Sequence, residues 1–471
     1  MRRWVAGLGV AALAVGGYAA LDVVDAAPGL LTTRPLPPPP PAETPGTRTL
    51  PVVAQPTLPT APALPLPGLA GGVRAPTAAG VRSALEPVLR LPALADAALV
   101  VRDAQSGAPL LDRRGAERRM PASTTKLLSA AAVGSVLDAD ATMTTRVVQG
   151  GSADAVVLVA GGDSLLAPGR GIRDAVAGRA GLADLADQVA AALRARSVRS
   201  VRLSVDRSFA PGPVTAATWD PAFRPLGITG SVAMLGRSDQ RATPGHPGPA
   251  DPVAATQAAF AARLTERGIK VISLPGQVAA APGAVLLGSV ESAPVGEQLA
   301  LAMTDSDNAL TEVLARQAAF RSGAGTDFPA TGRWVVTRVA SLGIDTTGAD
   351  LRDASGLSRE NRVTARLLAD ILVRGHDGSS PVLRAALDGL PVAGLTGTLA
   401  GRFGAGPEGA AAGRARAKTG TLTGATGLAG SVVDDSGRLL VFAGLVGRAG
   451  TYEARAALDR LVAVLASCGC R

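Results

Sequence analysis

Strand-forming text stands at both ends of the body of this chain, with helix-forming text between them, and no other feature restricts the fold as much. Ala98–Gly115, ALVVRDAQSGAPLLDRRG, reads as two short strands around a Gln-Ser-Gly turn. Gly427–Gly447 reads as a second hairpin about a Ser436-Gly437 turn, and Tyr452–Ser467 as a closing helix. Helical text fills Glu297–Phe320, Thr331–Gly343 and Thr364–Gly375. Such distant strands bury their apolar faces together only if the two ends of the body join one sheet, with helices packed on it. From about Thr142 to Val290 the text changes. The strand-like runs AVVLVAGG, VRSVRLSVD and KVISLPG alternate with the helical LADLADQVAAALRAR and ATQAAFAARLTERG. We read 142–290 as an inserted α/β domain that splits the main one into 76–141 and 291–471.

The N-terminus reads MRRWVAGLGVAALAVGGYAALDVVDAAPG. Arg2 and Arg3 precede an uncharged run from Trp4 to Leu21, the pattern of a signal peptide or signal anchor over 1–27. The body is therefore expected outside the cytoplasm, secreted or held by its N-terminus, and membrane contact through that segment stays open. Residues 28–75 are proline-rich, favour extended polyproline II and cannot bury a core, so they read as a linker. The net charge of +9 suits an anionic surface such as a cell wall or membrane. Aromatics are only 3% and no nucleic-acid motif stands out, which argues against a nucleic-acid partner. No metal and no cofactor are expected. Cys468 and Cys470, in the terminal SCGCR, are too close together to build a zinc site, and His246 and His376 lie in glycine-flanked loops.

Positive charge is written almost wholly as arginine: of 47 basic residues only Lys126, Lys270 and Lys418 are lysines. Arginine stays protonated, whereas a buried lysine shifts its pKa and can act as a base. Lys126 follows Ser123 by three residues in PASTTKLLSAAAV, where the text predicts a helix from about Ser123 to Leu137. Residues i and i+3 share a helix face, so hydroxyl and amine can meet. A serine nucleophile needs such a base. Alone, S-x-x-K is weak and reads equally as an N-cap beside a solvated lysine. Ser306-Asp307-Asn308 joins two helical stretches. In an extended connector Ser306 and Asn308 would face the same way, Ser306 to relay a proton and Asn308 to hold an amide. Lys418-Thr419-Gly420-Thr421 reads as an edge strand, to which a peptide could add itself. Gly420 would admit a close backbone. The backbone N–H groups of Ser123 and Thr421 could form an oxyanion hole.

The three triplets, in this order, are the signature set of penicillin-binding proteins and class A β-lactamases. From about Leu85 onward the chain resembles the D-alanyl-D-alanine carboxypeptidase/endopeptidase family of low-molecular-mass class C penicillin-binding proteins. PASTTKLLSAAAV is similar to that family's nucleophile motif, and LVAGGDSLL to its Gly-Gly-Asp segment. DASGLSRENRVTARLLADIL and LPVAGLTGTLAGRF resemble two further, more specific stretches. Ser306 lies 183 residues after Ser123, and Lys418 a further 112 on. The first gap is far longer than in class A β-lactamases and resembles the class C family, where an extra domain is inserted.

The resemblance implies a penicillin-binding fold, of the serine β-lactamase/transpeptidase-like kind, with a large inserted α/β domain between the first two motifs. It implies that Ser123 attacks the carbonyl between two D-alanines, with Lys126 as base, neutral through burial and neighbouring positive charge. Ser306, oriented with Lys418, would protonate the leaving amine. Asn308 would hold the acyl-side amide, and Lys418, Thr419 and Thr421 the terminal carboxylate. The partners implied are peptidoglycan stem peptides, cut as carboxypeptidase, endopeptidase or both, and β-lactams as covalent inhibitors. Asp163, Asp353 and Arg359 read as turn or capping residues. A serine β-lactamase and a non-catalytic wall-binding protein are the alternatives.

Overall fold

The computed structural model describes residues 75–377, 381–404 and 406–470. The described residues form ten strands: β1 (Ala98–Asp103), β2 (Pro109–Arg113), β3 (Thr144–Gln149), β4 (Ala155–Val159), β5 (Ser200–Asp206), β6 (Lys270–Gln277), β7 (Leu286–Glu291), β8 (Ala415–Leu422), β9 (Ala425–Val433) and β10 (Leu439–Val446). The first sheet has the order β2-β1-β10-β9-β8, antiparallel throughout, so the two ends of the body do meet. β9 is buried along all but its last residue, and β8 takes the edge. The second sheet, order β6-β5-β4-β3-β7, is mixed and drawn wholly from residues 144–291. Its middle strand β4, AVVLV, is a continuous apolar run buried along almost its whole length, as a strand parallel to its neighbour requires.

Among the described residues ten α-helices complete the fold: α1 (Ala78–Leu89), α2 (Lys126–Gly134), α3 (Leu182–Ala195), α4 (Pro252–Thr265), α5 (Val295–Thr304), α6 (Asn308–Arg321), α7 (Phe328–Ser341), α8 (Ala365–His376), α9 (Pro381–Asp388) and α10 (Thr451–Ala466). α2 is buried from Lys126 to Val133, a helix enclosed on every side. It shares one core with α5, α6, α7, α8 and the inner strands β9 and β10. α8 begins at a Thr364 cap, whose hydroxyl accepts from Leu367 N, and lays its apolar face on β1, β9 and β10.

The expected helix over Ser123–Leu137 is shorter and starts differently. Ala122–Thr125 form a 3₁₀ turn and the α-helix begins at Lys126. Ala122 has φ 47°, outside the helical region, and the Thr124 and Thr125 hydroxyls bond back to the Pro121 and Ala122 carbonyls (2.8 Å each). Among the described residues no helix is long and apolar enough to cross a membrane. The signal or anchor segment read over 1–27, and the linker up to residue 74, lie outside the described residues.

Candidate active site

The site forms where the 3₁₀ turn before α2 meets β8. Gly420 makes that approach feasible: a Cβ there would lie 2.6 Å from the Pro121 carbonyl oxygen. On the other side Gly356, at φ 92°, lets the 353–358 turn close on Ala122, whose carbonyl oxygen would stand 2.0 Å from an added Cβ. Ser123 is thereby held between strand and turn. Three residues per 3₁₀ turn set Ser123 and Lys126 above one another, and Lys126 Nζ lies 3.1 Å from Ser123 Oγ.

Lys126 is fully buried, and its amine has two further partners. Nζ donates to Asn308 Oδ1 (2.6 Å) and to the Ser355 carbonyl (2.8 Å). Both are acceptors only, so in the neutral amine they occupy two N–H bonds and turn the lone pair toward Ser123. Asn308 Nδ2 in turn donates to the Ile228 carbonyl (2.7 Å), which fixes the amide's orientation. Burial pushes the Lys126 pKa down to about 8, while the charges of Glu312, Asp353 and Asp307 pull it back up. This corrects the sequence expectation in one respect: burial alone depresses Lys126, and its charged surroundings oppose the shift.

Ser306 sits at φ 58°, so the connector is not extended as expected. Asp307 caps α6 through Leu310 N (2.9 Å) and is gripped by Arg241 (2.9 Å). This kink still brings the motif together by another route. Asn308 points to Lys126, while Ser306 Oγ accepts from Lys418 Nζ (2.9 Å). Lys418 also donates to the Thr419 carbonyl (3.1 Å) and is fully buried. Burial, and then the charge of Lys126, holds its pKa well below the usual lysine range. The expectation that Lys418 itself meets a substrate carboxylate does not fit this placement: its amine is spent on Ser306 and the strand.

β8 keeps a free edge at the cavity. Ala417 N donates to the Pro391 carbonyl, and Ala393 N to that of Ala415. By the two-residue period, the backbone groups of Thr419 and Thr421 face the same open edge. A cavity of about 360 Å³ is lined there by Ser123, Ser306, Thr398, Thr419, Thr421 and Arg455, with Gly401 and Arg402. Thr419 Oγ1 donates to Thr398 Oγ1 (3.0 Å).

Of the residues read as structural, Asp353 is fully buried and accepts from Trp219 Nε1, Gly356 N, Ser358 N and Asn361 Nδ2 (2.6–2.8 Å). Asp163 accepts from Leu165 N (2.8 Å), and burial pushes its carboxyl up to about 7. The Arg359 side chain is exposed rather than packed into the turn. Sequence reasoning missed Glu312, one turn after Asn308 on α6. Its buried carboxyl group accepts from Ala354 N (2.9 Å) and Ser355 N (2.7 Å), and so holds the residue whose carbonyl meets Lys126. Burial, with Asp353 nearby, pushes Glu312 up to about 8, against the bonds from Ser355 and the charge of Arg316. An acid at i+4 from a motif asparagine was the available signal.

The sequence matches the D-Ala-D-Ala carboxypeptidase 3 (S13) family over residues 81–233 and 224–468. It is 39% identical over 401 residues to carboxypeptidase DacB of Mycolicibacterium smegmatis, covering 84% of this chain and 85% of that one. It is 30% identical over 476 residues to a D-alanyl-D-alanine carboxypeptidase of Actinomadura sp., covering 81% and 84%. The fold is similar to the crystal structure of penicillin binding protein 4 from Haemophilus influenzae, with a TM-score of 0.64 at 19% identity, over 81% of this chain and 97% of that one. The last likeness bears on architecture: a penicillin-binding fold carrying an inserted region.

Proposed function

The chain belongs to the D-Ala-D-Ala carboxypeptidase 3 (S13) family of serine D-Ala-D-Ala carboxypeptidases, and from that premise we propose that it works outside the cytoplasm on peptidoglycan stem peptides through an acyl-serine intermediate. Ser123 Oγ attacks the carbonyl between two D-alanines and its proton passes to Lys126 Nζ. The oxyanion is held by the backbone N–H groups of Ser123 and Thr421. As the C–N bond breaks, the proton taken by Lys126 passes to the leaving amine through Ser306, which Lys418 orients, and Lys126 is neutral again. Water then attacks the ester and gives a proton to Lys126, which returns it to Ser123 Oγ as the ester C–O bond breaks, and the shortened peptide leaves. Asn308 keeps one N–H for the acyl-side amide, and Thr419 and Thr421 offer hydroxyls to the terminal carboxylate. β-Lactams, which mimic the D-Ala-D-Ala end, acylate the same serine.

One observation carries this reading: a buried lysine whose two other bonds are fixed stands 3.1 Å from a serine at the rim of an open cavity. The basic n-region and apolar run at the N-terminus support export. Intact-protein mass spectrometry after penicillin exposure, with peptide mapping, tests the mechanism. The expected adduct is one penicilloyl group on the Ser123 peptide, absent in Ser123→Ala. An adduct elsewhere, or unchanged D-Ala release by Ser123→Ala, contradicts it.

A further inference from the structure

We propose that Arg455, in the first turn of α10, is the cation that binds the substrate's terminal carboxylate and makes the enzyme select for a free C-terminus. This rests on the DD-peptidase reading above. The position calls for a positive charge that the motif lysine does not supply. Lys418 is buried, its amine is committed to Ser306 and the Thr419 carbonyl, and it does not line the cavity. Two arginines do line it, Arg402 and Arg455. Arg402 is already paired: it donates to both oxygens of Asp459, and its guanidinium sits 5.7 Å from the Phe403 ring centroid. Asp459, one turn on along α10, feels the charge of Arg455 but is bonded to Arg402, and among the described residues Arg455 itself makes no ion pair.

Its one hydrogen bond aims it at the right place. Arg455 Nη2 donates to Thr421 Oγ1 (3.1 Å), the hydroxyl at the cavity end of β8. A guanidinium has five N–H donors in a planar fork, so one bond to a threonine leaves the rest for a ligand. A peptide added along the free edge of β8 would run its C-terminus past Thr419 and Thr421 and meet this fork. A carboxylate accepts a bidentate pair there, and a C-terminal amide does not. Helix α10 packs on β9 and β10, so the arginine is presented by a fixed element.

The test compares two peptides ending in D-Ala-D-Ala, one with a free carboxylate and one amidated, in the full-length enzyme. The readout is the acid-over-amide ratio of kcat/KM. Loss of a charge-assisted bond predicts that Arg455→Gln lowers this ratio roughly tenfold to a hundredfold, mainly through KM, and that Arg455→Lys restores part of it. The same ratio is read from acylation rates with benzylpenicillin and its methyl ester, which needs no turnover. A ratio that Arg455→Gln leaves unchanged in both assays overturns the proposal, including the case where both substrates slow equally through a damaged fold. Failure of the wild-type enzyme to release D-alanine from either peptide would instead overturn the DD-peptidase reading.

Discussion

The two serine–lysine pairs on either side of the cavity have equal burial and unequal electrostatics. Lys126 and Lys418 are both inaccessible, and each lies about one hydrogen bond from a serine hydroxyl. Around Lys126 stand Glu312, Asp353 and Asp307, whose charges limit the drop that burial imposes and leave it near 8. At Lys418 the charge acting beside burial is that of Lys126 itself, a like charge that pushes the pKa further down. Burial alone therefore does not define a catalytic lysine. The carboxylates keep one amine able to gain and lose a proton near neutral pH, while the other, pushed lower by a like charge, serves as an orienting donor.

The largest test of that contrast exchanges the two sites' chemistry. Lys126→Arg installs a cation that cannot release its proton, and penicillin acylation should fall on the order of 10⁴-fold with the melting temperature followed as a fold control. Lys418→Met removes only an orienting hydrogen bond, and acylation should fall on the order of 10²-fold. Equal losses would erase the distinction. A smaller effect sharpens it. Glu312→Gln keeps an oxygen for the Ala354 and Ser355 N–H groups and deletes the charge. A carboxylate favours the ammonium form, so its removal favours the amine. The acidic limb of the acylation rate should move to lower pH, by up to about one unit. A shift to higher pH would show that Glu312 does not act on Lys126 as described.

How much of this was legible in the sequence follows the range of the interactions. The first sheet was readable because its strands alternate or run apolar and its turns are written locally, as in Ser436-Gly437. In the second sheet β4, β5 and β6 were legible. β3 (TTRVVQ) and β7 (LLGSVE) were not, since an arginine and a glycine interrupt their pattern. The Ser123–Lys126 contact was readable because it spans three residues. Ser306 and Asn308 were identified, but the left-handed Ser306 was not, since it is imposed by an Asp307 cap and Arg241 from another part of the chain. Thr398, Arg455 and the Ile228 carbonyl reach the site through contacts that no local pattern encodes.

The scarcity of lysine allows the central claim to be measured directly. With side-chain-labelled lysine, an NMR titration has three signals to assign: Lys126, Lys418 and Lys270, which is exposed on β6 and serves as the reference. The Lys126 signal should titrate at about 8 and be lost in Lys126→Arg, while the Lys418 signal should titrate well below the usual lysine range. Titration of Lys126 at the value of an ordinary solvated lysine would contradict it.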